Sequence, residues 1–165
     1  MGHERRWLFW PMSAMPQLSF AIFESPSVVA AGHKSPWMRR RSIALRDLTG
    51  EMWALPSSDN VFGAFVAEVF RASGLPVPRA TVVATALEMR ANLLRTGRYL
   101  SIIPEFWLQF PDPHPFIRKL PVKLPIASGP IGIVALKNRA PSPAARLFMD
   151  CAREMAMPDL IADRT

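Results

Sequence analysis

The alternation of apolar and polar positions is clearest between residues 79 and 104, where it predicts a strand, a helix and a second strand. β-Branched residues favour an extended strand at 80–84. Thr85 and Glu88 follow with the spacing of a capping box, in which two side chains satisfy free amides at a helix start. A second apolar run at 99–103 ends at a proline. Because a crossover of this kind joins parallel strands, we expect both strands to be parallel members of one sheet.

The helix predicted at 86–96 has one apolar face. Ala86, Met89 and Leu93 recur on it at helical spacing, and Arg90 and Arg95 lie off it. A glycine follows at the position where helices often close on a left-handed residue. We therefore expect the leucine to belong to the core and the two arginines to lie away from the packed face.

The flanking segments continue this alternation of strands and helices. A strand at 51–55 precedes a helix at 60–73, whose apolar positions form a wide buried stripe: Val61, Phe62, Phe65, Val66, Val69 and Phe70. Ser142 and Pro143 have the residue types of a helix start. The final helix has an apolar face made of Ala144, Leu147, Phe148, Cys151, Ala152 and Met155, which turns the thiol inward. The pattern as a whole predicts an α/β fold.

Composition adds a positive charge but no nucleic-acid signature. The 165 residues are half apolar, which excludes a disordered chain, and carry a net charge of +7. Such a charge permits contact with nucleic acid or acidic membranes. The basic residues are nevertheless scattered, apart from a run at 39–41 that we interpret as a solvated loop. We expect no specific DNA binding and no membrane association.

Candidate catalytic groups are almost absent. The chain has one cysteine, so a disulfide framework and a cysteine metal site are excluded. His3, His33 and His114 lack the spacing of metal ligands. The sequence contains no nucleophile elbow and no glycine-rich phosphate loop. These features predict a protein that is not an enzyme and that has no cofactor and no metal.

Residues 1–22 differ from the rest of the chain and predict a poorly ordered leader. Arg5 and Arg6 resemble a twin-arginine export start, but prolines interrupt the apolar stretch that follows. The stretch is also too short to span a membrane. A leader of this kind, or a start codon inside a longer reading frame, explains the segment more simply than export, and we expect a cytoplasmic protein with a frayed tail at 158–165.

Two strand-to-helix turns have the residues of a ligand site. Thr85 and Ala86 place a hydroxyl and free amides at the end of a strand, and Ser57 and Ser58 follow another strand. Small ligands of open α/β sheets bind at such edges, and anions favour helix N-termini. Ordinary helix caps without a ligand remain the alternative.

Several ordered segments together resemble the effector-binding half of LysR-type transcriptional regulators, although no single one is specific. The resemblance extends from about Phe23 to Met155. The segments occur in the family's order at 48–56, 70–78, 93–104, 120–125, 131–139 and 142–148. The longest of them reads LLRTGRYLSIIP.

The resemblance implies a periplasmic-binding-protein-like (type II) effector domain, in which two crossing strands join two α/β lobes around a ligand cleft. Within a partial effector domain at 23–157, lobe two is expected at about 33–124 and the return strand with the C-terminal helix at 131–156. The crossing strands are expected near 25–31 and 131–137. The family's winged helix-turn-helix and first lobe have no counterpart before Phe23, which implies a truncated chain whose final helix exposes its apolar face.

The function implied is effector sensing without DNA binding by this chain alone. The resemblance and the turn chemistry together nominate six ligand-binding residues: Ser57, Ser58, Thr85, Ala86, Ile103 and Pro104. The expected effector is a small organic or aromatic acid, and the expected partners are a second copy or related regulators. An exported solute-binding protein of the same fold and a remnant without a present role stay open as alternatives.

Overall fold

A computed structural model of the chain describes residues 17–109, 114–126, 130–135 and 140–155. The strands are β1 (Gln17–Glu24), β2 (Ser27–Gly32), β3 (Trp53–Leu55), β4 (Ala80–Val83), β5 (Leu100–Pro104), β6 (Ile117–Lys119) and β7 (Pro130–Ala135). The helices are α1 (Val61–Ala72), α2 (Leu87–Arg95) and α3 (Pro143–Met155), with short 3-10 turns at Pro36–Arg39, Leu45–Leu48 and Glu105–Leu108. One compact unit spans residues 26–128, and a second joins residues before 26 to residues after 128.

The larger unit contains a five-stranded mixed sheet in the order β4-β3-β5-β2-β6. β3 is parallel to both β4 and β5, whereas β2 is antiparallel to β5 and β6. The prediction that the strands around α2 run parallel in one sheet is therefore confirmed. β3 lies between them, so they are not direct neighbours.

Helix α1 shares a buried cluster with alternate residues of the sheet, including Val29 and Leu100. Val66 belongs to this cluster, as predicted, and Phe70 packs edge-on against Trp53 with ring centroids 5.5 Å apart. The predicted stripe was too wide, because Val61 and Phe62 are exposed at the start of the helix. Only the side of α1 that faces the sheet can be covered by it.

Helix α2 belongs to a second cluster with the intervening sheet residues, among them Ala30 and Ile103. Its predicted apolar face was wrong. Met89 is 57% exposed, whereas Ala91 and Leu94 are buried together with Arg90. In a helix this short, the 3.6-residue period is compatible with either face being buried. Because Arg90 lies on the face that is packed, the sequence pattern favoured the other face.

The smaller unit pairs β1 with β7 in an antiparallel ribbon that has two register shifts. The crossing strand expected near 25–31 is present as β2, but it belongs to the five-stranded sheet, and β1 is the strand that pairs with β7. The end of the predicted leader, residues 17–22, likewise lies in β1. Residues 1–16 and 156–165 lie outside the described residues.

Helix α3, in the smaller unit, begins as predicted, since the Ser142 hydroxyl accepts a hydrogen bond from the amide of Ala145 at 3.2 Å. Leu147 and Phe148 are 67% and 65% exposed, in agreement with the expected uncovered face. Cys151 was expected to face inward, but its thiol is exposed. No helix among the described residues is long and apolar enough to cross a membrane.

Candidate functional site

The carboxyl ends of three parallel strands meet at one edge of the five-stranded sheet. The turn 56–60 follows β3, the turn 84–86 follows β4, and residues 103–104 end β5. The amide of Ala84 donates to the carbonyl oxygen of Leu55 at 2.9 Å and holds the first two turns side by side. This edge, called the carboxyl edge below, contains all six of the residues nominated from the sequence.

The turn after β3 carries a negative charge of its own. The hydroxyls of Ser57 and Ser58 donate to the Asp59 carboxylate at 3.3 and 3.4 Å, and the Asp59 amide donates to the Ser57 hydroxyl. The side chain of Asn60 caps α1 by accepting from the amide of Gly63 at 2.9 Å. The start of α1 therefore already has a side-chain acceptor at Asn60 and a carboxylate at Asp59.

Helix α1 also touches this turn backbone to backbone. A Cβ atom on Gly63 would overlap the carbonyl group of Ser57 and crowd the Cα atom of Ser58. Gly63 is buried in the first turn of the helix. The position of the serine turn is thus set by a contact that only glycine permits.

The turn after β4 differs from its prediction. The predicted capping box between Thr85 and Glu88 is wrong, because the N-cap is Ala86 and no side chain caps the helix. Pairing with β3 keeps the chain extended through Ala84, so α2 begins only at Leu87. The first-turn amides of α2 consequently lack a side-chain acceptor at a solvent-exposed turn.

The end of β5 contributes less apolar surface than expected. Ile103 is 1% exposed and packs in the second cluster, so its side chain does not form a wall at the edge. Pro104 is half-buried and pairs with Ser27 at the start of β2. Thr85, Ala86 and Ser58 are the exposed members of the nominated set.

A buried arginine lies behind the edge. Arg90 is 4% exposed, and its Nη1 donates to the Ser101 hydroxyl at 3.2 Å and to the Ile102 carbonyl at 3.0 Å. Its Nε atom is buried without a hydrogen-bond partner in the described part of the chain. Desolvation by burial lowers the pKa of this guanidinium. The apolar pattern of the helix could not predict that this arginine is buried, because it placed Arg90 off the packed face.

Other candidate chemistry is sparse. Among the described residues no group of three or more histidine, cysteine, aspartate or glutamate side chains could hold a metal ion. His33 tilts against Phe116, and His114 stacks on Trp107 at 3.8 Å between ring centroids. An open groove of about 930 Å³ lies along residues 41–46, 73–75 and 119–123 and includes none of the nominated residues. The groove is too open to be a better candidate ligand site than the carboxyl edge, where the nominated residues lie together.

Comparison with solved structures shows the fold. The effector-binding domain of QuiR in complex with shikimate has 20% identity and a TM-score of 0.68, over 83% of this chain and 64% of that one. The regulatory domain of CcmR from Synechocystis PCC6803, in complex with 2-PG, has 16% identity and a TM-score of 0.72, over 92% and 73%. A LysR family regulator from Pseudomonas aeruginosa, the PA01 protein, has 19% identity and a TM-score of 0.65, over 82% and 48%.

The chain thus spans 64% of the QuiR domain and 48% of the P. aeruginosa regulator. No curated protein matches the sequence. The mixed sheet with helices packed on it is the periplasmic-binding-protein-like type II architecture of these domains. The family model for the LysR substrate binding domain matches residues 15–157, and the chain belongs to this family.

Proposed function

We propose that the chain is the effector-sensing part of a LysR-type transcriptional regulator and that its carboxyl edge binds a small organic acid. The observation that carries this proposal is the uncapped start of α2 beside the exposed Thr85 hydroxyl. Free amides at a helix N-terminus, with the helix dipole behind them, favour a carboxylate. Shikimate and 2-PG in the complexes of two structural neighbours support a small effector.

The charge of Asp59 narrows the class of effector. β3 and β4 are adjacent strands, about 5 Å apart, and the hydrogen bond from Ala84 to Leu55 joins the ends of both strands, so Asp59 and the start of α2 share the carboxyl edge. A second carboxylate beside Asp59 would be repelled, whereas a hydroxyl or amine could donate to it. The edge therefore favours a monocarboxylate that also carries a donor group over a dicarboxylate.

The same proposal covers the partners and the location. A binding role needs no catalytic group, so we assign none to the edge. The exposed pair Leu147 and Phe148 favours association with a second copy or with related regulators, since apolar patches of this kind promote contact. A transcriptional regulator works in the cytoplasm, where we place this chain.

Amide chemical shifts followed during titration test the site. The ligands are 4-hydroxybenzoate, benzoate and succinate, added to the full chain. We expect perturbations centred on residues 56–60 and 84–88, largest for the hydroxy acid and smallest for the diacid. Perturbations centred elsewhere, or a flat response to all three acids, would rule the site out.

Two substitutions separate binding from folding. Thr85→Ala removes the hydroxyl without removing a helix cap. It should therefore lower the affinity for 4-hydroxybenzoate severalfold and leave the stability of the chain unchanged. Thr96→Ala is the matched control at the other end of α2, where the hydroxyl donates to the Leu93 carbonyl at 2.7 Å. Equal affinities for the two variants would contradict a role for Thr85.

A further inference from the structure

Arg90 is costly where it lies. A guanidinium that is almost fully buried has lost most of its hydration, and one nitrogen has no partner in the described part of the chain. No ion pair joins it to a carboxylate among the described residues. A buried charge without a counter-ion destabilises a fold unless hydrogen bonds compensate for the lost hydration. Packing alone therefore does not account for an arginine here.

The position of Arg90 relates it to the carboxyl edge. Its backbone amide donates to the carbonyl of Ala86 at 3.3 Å, so it lies one turn into α2 from the uncapped start. Its Nη1 donates to the carbonyl of Ile102, two residues before the end of β5. The charge thus lies behind two of the turns that form the edge, on the inner side of both.

We propose that Arg90 supplies the positive charge that makes the carboxyl edge selective for anionic effectors. It acts from behind the site, through the low-dielectric interior and through the turns it positions, without touching the ligand. Because this role presupposes the effector site proposed above, the two must be separated by experiment. The carboxylate of the effector is, in this view, an opposite charge that the guanidinium attracts from a distance.

The expected size of the effect follows from Coulomb's law. At a separation of about 10 Å and an effective dielectric constant of about 20, one unit charge changes the affinity of a monoanion by about tenfold. The same charge leaves the affinity of a neutral ligand nearly unchanged. The ratio of acid to amide affinity therefore reports the charge, whereas a general loosening of the site lowers both affinities together.

The test compares 4-hydroxybenzoate with 4-hydroxybenzamide on the full chain and on three variants. Arg90→Met removes the charge and keeps an apolar chain, and Arg90→Lys keeps the charge. Arg95→Met removes an exposed arginine from the far end of α2 as a control. Affinities come from calorimetry or amide shifts, and the stability of each variant comes from urea unfolding.

We expect Arg90→Met to lower the acid-to-amide affinity ratio about tenfold, while Arg90→Lys and Arg95→Met stay within about twofold of the parent chain. Urea unfolding of Arg90→Met shows whether the variant still folds in the absence of ligand once the hydrogen bonds to Ser101 and Ile102 are lost. An unchanged ratio in Arg90→Met, with the acid still bound at the edge, would overturn the role of Arg90 and leave the effector site standing. Equal losses for acid and amide would reduce Arg90 to a structural residue. If neither compound perturbs the edge of the parent chain, the effector site itself fails and the role of Arg90 with it.

Discussion

Replacing Leu94 by alanine tests which face of α2 packs on the sheet. Leu94 is fully buried, in a cluster with Ala30, Ile103 and Trp107, whereas the neighbouring Leu93 is only partly covered. Deleting a fully buried leucine side chain costs about 3–5 kcal/mol, because the transfer free energy is lost and a cavity is left. The same change at Leu93 should cost about 1 kcal/mol, since part of that side chain already meets water.

The two alanine variants are compared by urea unfolding of the full chain, followed by far-UV circular dichroism and by tryptophan fluorescence. Trp107 lies in the same cluster as Leu94, so it is the one of the five tryptophans whose emission should respond most to the loss of packing there. The difference between the variants should be about 2–4 kcal/mol in the free energy of unfolding. Equal losses, or a greater loss for Leu93→Ala, would place the sequence-predicted face against the sheet and refute the packing described here.

Three further outcomes are expected. Trp53→Phe should cost about 1–3 kcal/mol of unfolding free energy, because it loses the buried hydrogen bond from the indole Nε1 to the Leu48 carbonyl at 2.9 Å and leaves part of the space of the indole in the core unfilled, while the Glu51 amide still donates to that carbonyl; a cost near zero in urea unfolding would contradict this. The double variant Leu147→Ser, Phe148→Ser should have a lower mass by light scattering, closer to that of a monomer, because both exposed apolar side chains are replaced; an unchanged mass would show that α3 takes no part in self-association. Duplex DNA should bind weakly, without sequence preference, and lose affinity steeply as salt is raised, because the net charge of +7 acts on phosphates; operator preference in a gel shift near physiological salt would overturn this.

Local patterns predicted the parallel core of the sheet but not its other strands. The β3-α1-β4-α2-β5 alternation follows from short-range periodicity and turn residues, which act within a few positions of one another. The antiparallel addition of β2 and β6 depends on pairings distant in sequence, such as Ala31 with Arg118. Residues 17–22 were assigned to the leader because of the tryptophans and prolines before them, and only their pairing with the distant β7 identifies them as part of a strand.

The position of the candidate site could be predicted from the sequence, but its hydrogen bonds could not. Carboxyl ends of parallel strands share an edge, so the sequence could bring Ser57 and Thr85 together. It could not show that the Ala84–Leu55 pairing delays the start of α2, which removes the cap expected at Thr85. Nor could the sequence show that Arg90 is buried, because its hydrogen-bond partners are eleven and twelve residues away and meet it only when the helix packs on the strand.

Gly63 ties the affinity of the edge to a residue that no ligand would touch. An alanine there would gain about 1 kcal/mol of helix propensity. Its methyl group would, however, overlap the backbone of Ser57 and Ser58, so the helix and the turn would have to separate. Selection for stability alone would therefore keep the glycine, and a library meant to retune the effector has to leave this helix position unchanged if the serine turn is to stay in place.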